Sequence, residues 1–65
     1  MKVQVLDRAL DIAELLSREQ NGLSLTDIAR RLHLNKSTVH RLLQSLKDRG
    51  YMEKTTDGNY RLGLE

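Results

Sequence analysis

The chain has no cysteine, no proline, no tryptophan and no phenylalanine, and only two tyrosines. Without cysteine, neither a disulfide nor a thiolate metal site can brace the fold. Without phenylalanine or tryptophan, the core has to be built mainly from aliphatic side chains. No apolar run approaches the roughly 18 residues that a membrane span requires. Residues 1–7 have neither the basic start nor the continuous apolar stretch of a signal peptide. The expectation is a cytoplasmic protein with no membrane partner. With 65 residues there is room for one domain, residues 1–65, and it sits near the lower size limit for independent folding. A chain of about 60 residues buries only about 60% of the surface that it exposes when unfolded. Modest stability is expected, helped by a partner, by a ligand or by the rest of a longer protein.

Net charge is a weak signal here, only +2, but its distribution is informative. Residues 24–49 carry Arg30, Arg31, Lys36, Arg41, Lys47 and Arg49 against Asp27 and Asp48, a local net charge of +4. The flanking thirds are each net −1. A basic surface confined to one stretch is the electrostatic footprint of a polyanionic partner.

Glycines punctuate the chain at Gly22, Gly50, Gly58 and Gly63. Between residues 4 and 18, Leu6, Ala9, Leu10, Ala13 and Leu16 recur at helical spacing, with Asp7, Arg8, Asp11 and Glu14 on the other side. This predicts an amphipathic first helix ended by Asn21-Gly22. Ile12 and Leu15 fall beyond that stripe and suit either packing under a neighbouring element or contact with a second copy. Leu23-Ser24-Leu25 alternates as a short strand would. Thr26 is placed to cap a second helix over residues 27–32, with Asp27 at its positive end and Ile28, Ala29 and Leu32 facing inward. A third helix is predicted over residues 36–49, with Val39, Leu42, Leu43 and Leu46 as its buried stripe and Gly50 closing it. Ser37 and Thr38 stand at its start, where capping by at least one of them is expected. Residues 51–64 then read as a hairpin turning at Thr56-Asp57-Gly58, with Tyr60, Leu62 and Leu64 on one face and Asn59 and Arg61 on the other. Tyr51 and Tyr60 are expected to pack in the core or at its rim.

Residues 25–44 carry the functional signal. Ile28, Ala29, Leu32, Leu34, Val39 and Leu42 occupy the apolar places of two short helices joined by a turn of 3–4 residues, which must approach closely. Ala29 is small where the third helix crosses. His33 stands at the turn, where positive φ is expected; glycine is the usual choice there and histidine is among the few others enriched. A helix-turn-helix followed at once by a hairpin is the winged form. The fold class expected is mainly α with a small β-hairpin: three helices and a two- to three-stranded antiparallel wing.

The run Val3-Gln4-Val5-Leu6-Asp7-Arg8-Ala9-Leu10-Asp11-Ile12, then Leu23-Ser24-Leu25-Thr26-Asp27-Ile28-Ala29, then Lys36-Ser37-Thr38-Val39-His40-Arg41-Leu42-Leu43, then Gly50-Tyr51 and Gly58-Asn59-Tyr60-Arg61-Leu62-Gly63, resembles the amino-terminal domain of the IclR (isocitrate lyase regulator) family over nearly the whole chain. Two positions depart from its pattern: His33 stands where glycine is common and Asn35 where proline is common. The resemblance implies the reading head of a bacterial transcription regulator, acting in the longer protein as a homodimer or higher homo-oligomer. It also implies an effector-binding domain beyond Glu65 that this chain does not contain.

The third helix is expected to read duplex DNA in the major groove. Lys36, Ser37, His40, Arg41 and Gln44 are the candidates for base contacts, since arginine pairs with guanine and glutamine with adenine. Thr26, Arg30, Arg31, Thr38, Lys47, Lys54 and Arg61 are the candidates for phosphate contacts. An acidic Asp57 near the tip of the wing argues against deep insertion there. No cofactor is implied, and His33 and His40 have no carboxylate at spacing that would complete a metal site. Three rivals differ in kind. A protein-docking winged helix would carry a neutral or apolar third helix. An enzyme would need a nucleophile–base pair or a phosphate loop, and neither is present. A reader of RNA or left-handed DNA would be separated by competition between duplex forms.

Overall fold

The computed structural model describes residues 3–63. Within them the order of elements is α1 (Gln4–Ser17), α2 (Leu25–Leu32), α3 (Lys36–Asp48), β1 (Met52–Lys54) and β2 (Tyr60–Leu62). Helix α1 packs on α2 and β2, while α3 packs on α2 and β1. The core therefore lies where three helices meet the inner face of a two-stranded antiparallel sheet. Leu64, expected on that inner face, lies outside the described residues.

The core is aliphatic apart from one tyrosine. Ile12, Ile28, Val39 and Leu43 are fully enclosed, and Leu16, Leu23, Ala29, Met52 and Tyr60 complete the cluster. Burying a side chain of the Val/Leu/Ile class is worth roughly 1.5–3 kcal/mol. Ala29 lies buried on α2, which packs against α3, and the absence of a larger side chain lets the two helices approach.

Helix α1 turns a different face inward from the one its strongest stripe predicts. Ile12 and Leu16 are buried, with Ala13 and Leu15 half-buried beside them. Leu6 and Leu10 are 54% and 51% exposed, as are Val3 at 54% and Val5 at 63%. Ile12 and Leu15 are thus core residues on the wing side of the helix, which leaves Val3, Leu6 and Leu10 as the outward apolar surface.

The hairpin pairs Met52 with Leu62, Glu53 with Arg61 and Lys54 with Tyr60. Beyond that last pair the Thr55 amide donates to the Asn59 carbonyl (2.7 Å) and the Asn59 amide donates to the Thr55 hydroxyl (3.1 Å). Gly58 takes a positive φ of 87° within the three-residue loop, the left-handed position such loops require. Of the short strand expected at Leu23-Ser24-Leu25, only Leu23 forms a bridge. Its amide and carbonyl bond Tyr60 at 3.0 and 2.8 Å, and Leu25 already belongs to α2. Tyr60 is buried beneath this bridge, whereas Tyr51 is 49% exposed and is not a core residue.

Candidate nucleic-acid interface

The site is built by the junction of α2 and α3. Helix α2 begins two residues earlier than expected, because Ser24 rather than Thr26 is its cap: the Ser24 hydroxyl accepts from the Asp27 amide at 3.1 Å. Thr26 is exposed in the first turn, so its hydroxyl is left for a ligand. At the other end His33 adopts φ 58° and ψ 43°. The amide of Leu34 then returns to the Ala29 carbonyl (2.9 Å) and that of His33 to the Arg30 carbonyl (3.3 Å). This is the left-handed helix ending that redirects the chain into α3. The sequence expectation of positive φ at His33 holds.

Helix α3 starts after Asn35, whose side chain makes no capping bond, and neither Ser37 nor Thr38 is a cap. Both sit inside the first turn and make no capping bond to its free amides. The amides of that turn are therefore open to a ligand. At about 100° per residue, Ser37, His40, Arg41 and Gln44 fall on one side of α3, and all four are exposed. Lys36 and Lys47 flank them and are exposed too. The opposite side holds buried Val39 and Leu43 with half-buried Leu42 and Leu46. Every base-contact candidate is thus brought onto one polar surface. One feature of this surface escaped the sequence reading: the Gln44 amide lies 3.5 Å from the Asp48 carboxylate.

The phosphate candidates are not equivalent. Each arginine among them already holds a carboxylate. Arg30 pairs with Asp27 at 3.1 Å, Arg31 with Glu19 at 3.3 Å, and Arg61 with Glu53 at 2.6 Å. The hydrogen bond from Arg30 holds the Asp27 carboxyl below its ordinary value. Hydrogen bonding with Ser24 and the charges of Arg30 and Arg31 act in the same direction, against desolvation. All three pairs are solvent-exposed, a setting in which an ion pair is worth about 0–1 kcal/mol, so exchange for a phosphate is inexpensive. Lys54 reaches back over the Tyr60 ring, 5.7 Å from its centroid. Lys47 has no carboxylate partner among the described residues, and Thr38 is half-buried at the α1 side of α3.

The helical periodicity sets Arg8 on the polar side of α1 with Asp7, Asp11 and Glu14. Arg8 is half-buried instead, and lines a cleft with Val5, Thr38, Arg41, Leu42 and Ser45. A basic residue in an otherwise acidic segment was the only sequence signal that could have singled it out.

A profile of the IclR helix-turn-helix domain matches residues 5–56, four-fifths of the chain and all of the α2–α3 junction. The chain belongs to the IclR helix-turn-helix family. The relatives that share this domain are named as transcription regulators and, in one case, as DNA-binding. This IclR domain is 39% identical over 64 residues to the HTH-type transcriptional regulator XynR of Escherichia coli, covering 97% of this chain and 25% of the relative. It is 47% identical over 60 residues to the DNA-binding transcriptional repressor YiaJ of the same species, covering 91% and 21%. Its fold superposes on that of an IclR transcriptional regulator from Alicyclobacillus acidocaldarius with a TM-score of 0.90 at 32% identity, over 98% of this chain and 26% of that one. The IclR domain therefore spans about a quarter of the length of such relatives. Its three helices and antiparallel hairpin are the winged helix-turn-helix of that family.

Proposed function

We propose that this IclR domain is the sequence-specific reading head of a bacterial transcription regulator, with α3 in the major groove of duplex DNA. The observation that carries this is the outward surface of α3: Lys36, Ser37, His40, Arg41, Gln44 and Lys47 are all exposed, all polar and on one side of one helix. Lys36, Ser37, His40, Arg41 and Gln44 meet base edges. Thr26, Arg30, Arg31, Thr38, Lys47, Lys54 and Arg61 engage phosphate, the arginines by giving up their carboxylates. Among the described residues no helix is long and apolar enough to cross a membrane, and a DNA partner places the work in the cytoplasm. The direct test is binding to duplex DNA as a function of salt. Four neutralised phosphates would cost about a hundredfold in affinity between roughly 50 and 200 mM salt. A flat response refutes the proposal. Selection from a random duplex library then gives the preferred site, and absence of any enrichment would limit the activity to non-specific binding.

A second copy supplies the length of site that one recognition helix cannot. Helix-turn-helix proteins gain it by two-fold symmetry, with half-sites about one helical turn or its multiples apart. The exposed Val3, Leu6 and Leu10 take the place of Ile12 and Leu15 as the pairing surface on α1. That patch is small, and interfaces below about 1,000 Å² are weak or transient. Pairing of the domain alone therefore depends on DNA. Strong association and effector sensing are assigned to the remaining length of the longer regulator.

A further inference from the structure

Arg8 lies outside the helix-turn-helix, near the start of α1. At about 100° per residue it sits roughly 160° around α1 from Leu6, on a flank of the helix that meets the start of α3. Together with Thr38, Arg41 and Ser45 it lines an open cleft of about 360 Å³, completed by Val5 and Leu42. The polar lining is two guanidiniums and two hydroxyls, with no carboxylate.

That composition is unlike the rest of the molecule. Arg30, Arg31 and Arg61 each hold a carboxylate within 3.3 Å. Neither Arg8 nor Arg41 has such a partner among the described residues. Two like charges lining one partly desolvated cleft repel each other, and an anion between or beside them removes that repulsion. Thr38 adds a hydroxyl donor and a position in the first turn of α3, where the helix dipole favours negative charge. Guanidinium and hydroxyl donors at the edge of a recognition helix suit a phosphate diester of the nucleic-acid backbone.

We propose that Arg8 is a DNA-phosphate anchor, holding with Thr38 one backbone phosphate beside the base that Arg41 reads. This rests on the DNA-binding reading above and extends the DNA contact surface from the helix-turn-helix to α1. A phosphate contact carries no sequence information of its own, so its loss lowers affinity for all sequences by a similar factor.

The test is fluorescence anisotropy with two labelled duplexes, one of mixed sequence and one selected from a random library, over a series of salt concentrations. The proteins are the wild-type chain, R8A, R8K and R18A. Arg18 is an exposed residue of the same region outside the cleft. The expected result is a salt slope for R8A shallower by about 0.9. Its affinity loss between about 50 and 200 mM salt is then roughly threefold smaller than that of the wild type. R8K and R18A keep the wild-type slope, and R8A keeps the wild-type ratio between the two duplexes. If R8A melts below the assay temperature, R8Q, which retains the stem, carries the same expectation. A wild-type slope in R8A, or an equal reduction in R18A, overturns the assignment of Arg8 and leaves DNA binding standing. A flat slope in the wild-type chain refutes DNA binding itself.

Discussion

Gly22 and Gly58 share a positive φ and differ in what surrounds them, so a matched pair of alanine substitutions measures how closely the wing is held. Their φ angles are +78° and +87°. A Cβ at Gly58 meets nothing within 4 Å, whereas one at Gly22 runs into the Tyr60 carbonyl oxygen, with the carbonyl carbon at 3.0 Å and Arg61 Cβ at 3.2 Å. The left-handed conformation costs an L-residue about 1–2 kcal/mol. The lower entropy of the unfolded chain returns about 0.4–1 kcal/mol. Gly58→Ala is therefore expected to lose about 1 kcal/mol. At Gly22 the obstacle is backbone and cannot rotate aside. Relief requires opening the Leu23–Tyr60 bridge, whose two hydrogen bonds are worth about 1 kcal/mol each. Gly22→Ala is expected to lose about 3 kcal/mol. Stability of roughly 0.05–0.15 kcal/mol per residue makes that a large share of the total for a chain this short. With about 4–8 °C per kcal/mol for a small domain, thermal melting followed by circular dichroism should show Gly58→Ala lowered by about 5 °C and Gly22→Ala by more than about 12 °C. Amide exchange at Leu23 and Tyr60 should accelerate in the second variant by more than the loss of global stability accounts for, and in the first by no more than that loss. Equal losses in the two variants would mean that the bridge does not hold the wing against the segment joining α1 to α2, and the reasoning would fail.

His33→Gly relieves the left-handed strain at an exposed side chain, so melting should rise by about 2–8 °C, the net of about 0.5–1 kcal/mol, with DNA binding unchanged; a fall would reveal a contact made by the imidazole. Arg41→Ala should cost about 1–3 kcal/mol of discrimination between the selected site and random duplex, while Lys47→Ala weakens both alike. Equal losses for Arg41→Ala would reassign it to phosphate. Leu10→Glu should abolish pairing on a duplex with two half-sites, seen by sedimentation, and leave affinity for one half-site intact. A tight dimer without DNA would show the α1 surface to be a stronger interface than its area implies.

Legibility followed the range of the interactions. The wing turn, the left-handed His33 and the buried stripe of α3 are set by contacts within about four residues, and the sequence alone placed them. Ser24 and Thr26 are both good caps, and composition cannot choose between them. The choice is made by Leu23, which must stay extended to pair with Tyr60 and so lets the helix begin at Leu25. The ion pairs that distinguish one arginine from another were hidden. Arg31 finds Glu19 twelve residues away across the α1–α2 junction. Arg61 finds Glu53 because the hairpin register puts them opposite each other, a pairing that could have been read once the turn was fixed.

The first helix shows why a count of stripe matches is not enough. Its apolar residues satisfy two helical stripes at once, Leu6-Ala9-Leu10-Ala13-Leu16 and Val5-Ala9-Ile12-Leu16, and the longer one predicted the wrong inner face. What decides is where neighbours lie. The C-terminal half of α1 rests on β2 and α2, and the side presented to Tyr60 and Ile28 carries Ile12 and Leu16. Toward its N-terminus the helix meets α3 only across open clefts, one lined by Val5 and Arg8 with Thr38 and Leu42 and one by Val3, Val5 and Leu6 with Leu42 and Leu46, and Leu6 and Leu10 stay exposed. Ile12 and Leu16 make the core with Ala13 beside them, and Val5, Leu6 and Leu10 remain as exposed apolar surface. Isolated exposed apolar residues need no explanation, but Leu6 and Leu10 lie on one face of α1 with Val3 at its cap, and contiguous apolar surface of that kind marks association sites. The apolar cleft that Val3 and Leu6 line with Leu46 adjoins the Arg8 cleft and shares Val5, Leu42 and Ser45 with it, so a partner at Leu6 and a phosphate at Arg8 would lie side by side. One helix can then carry both the contact between two copies and the anchor of each copy to its strand of DNA.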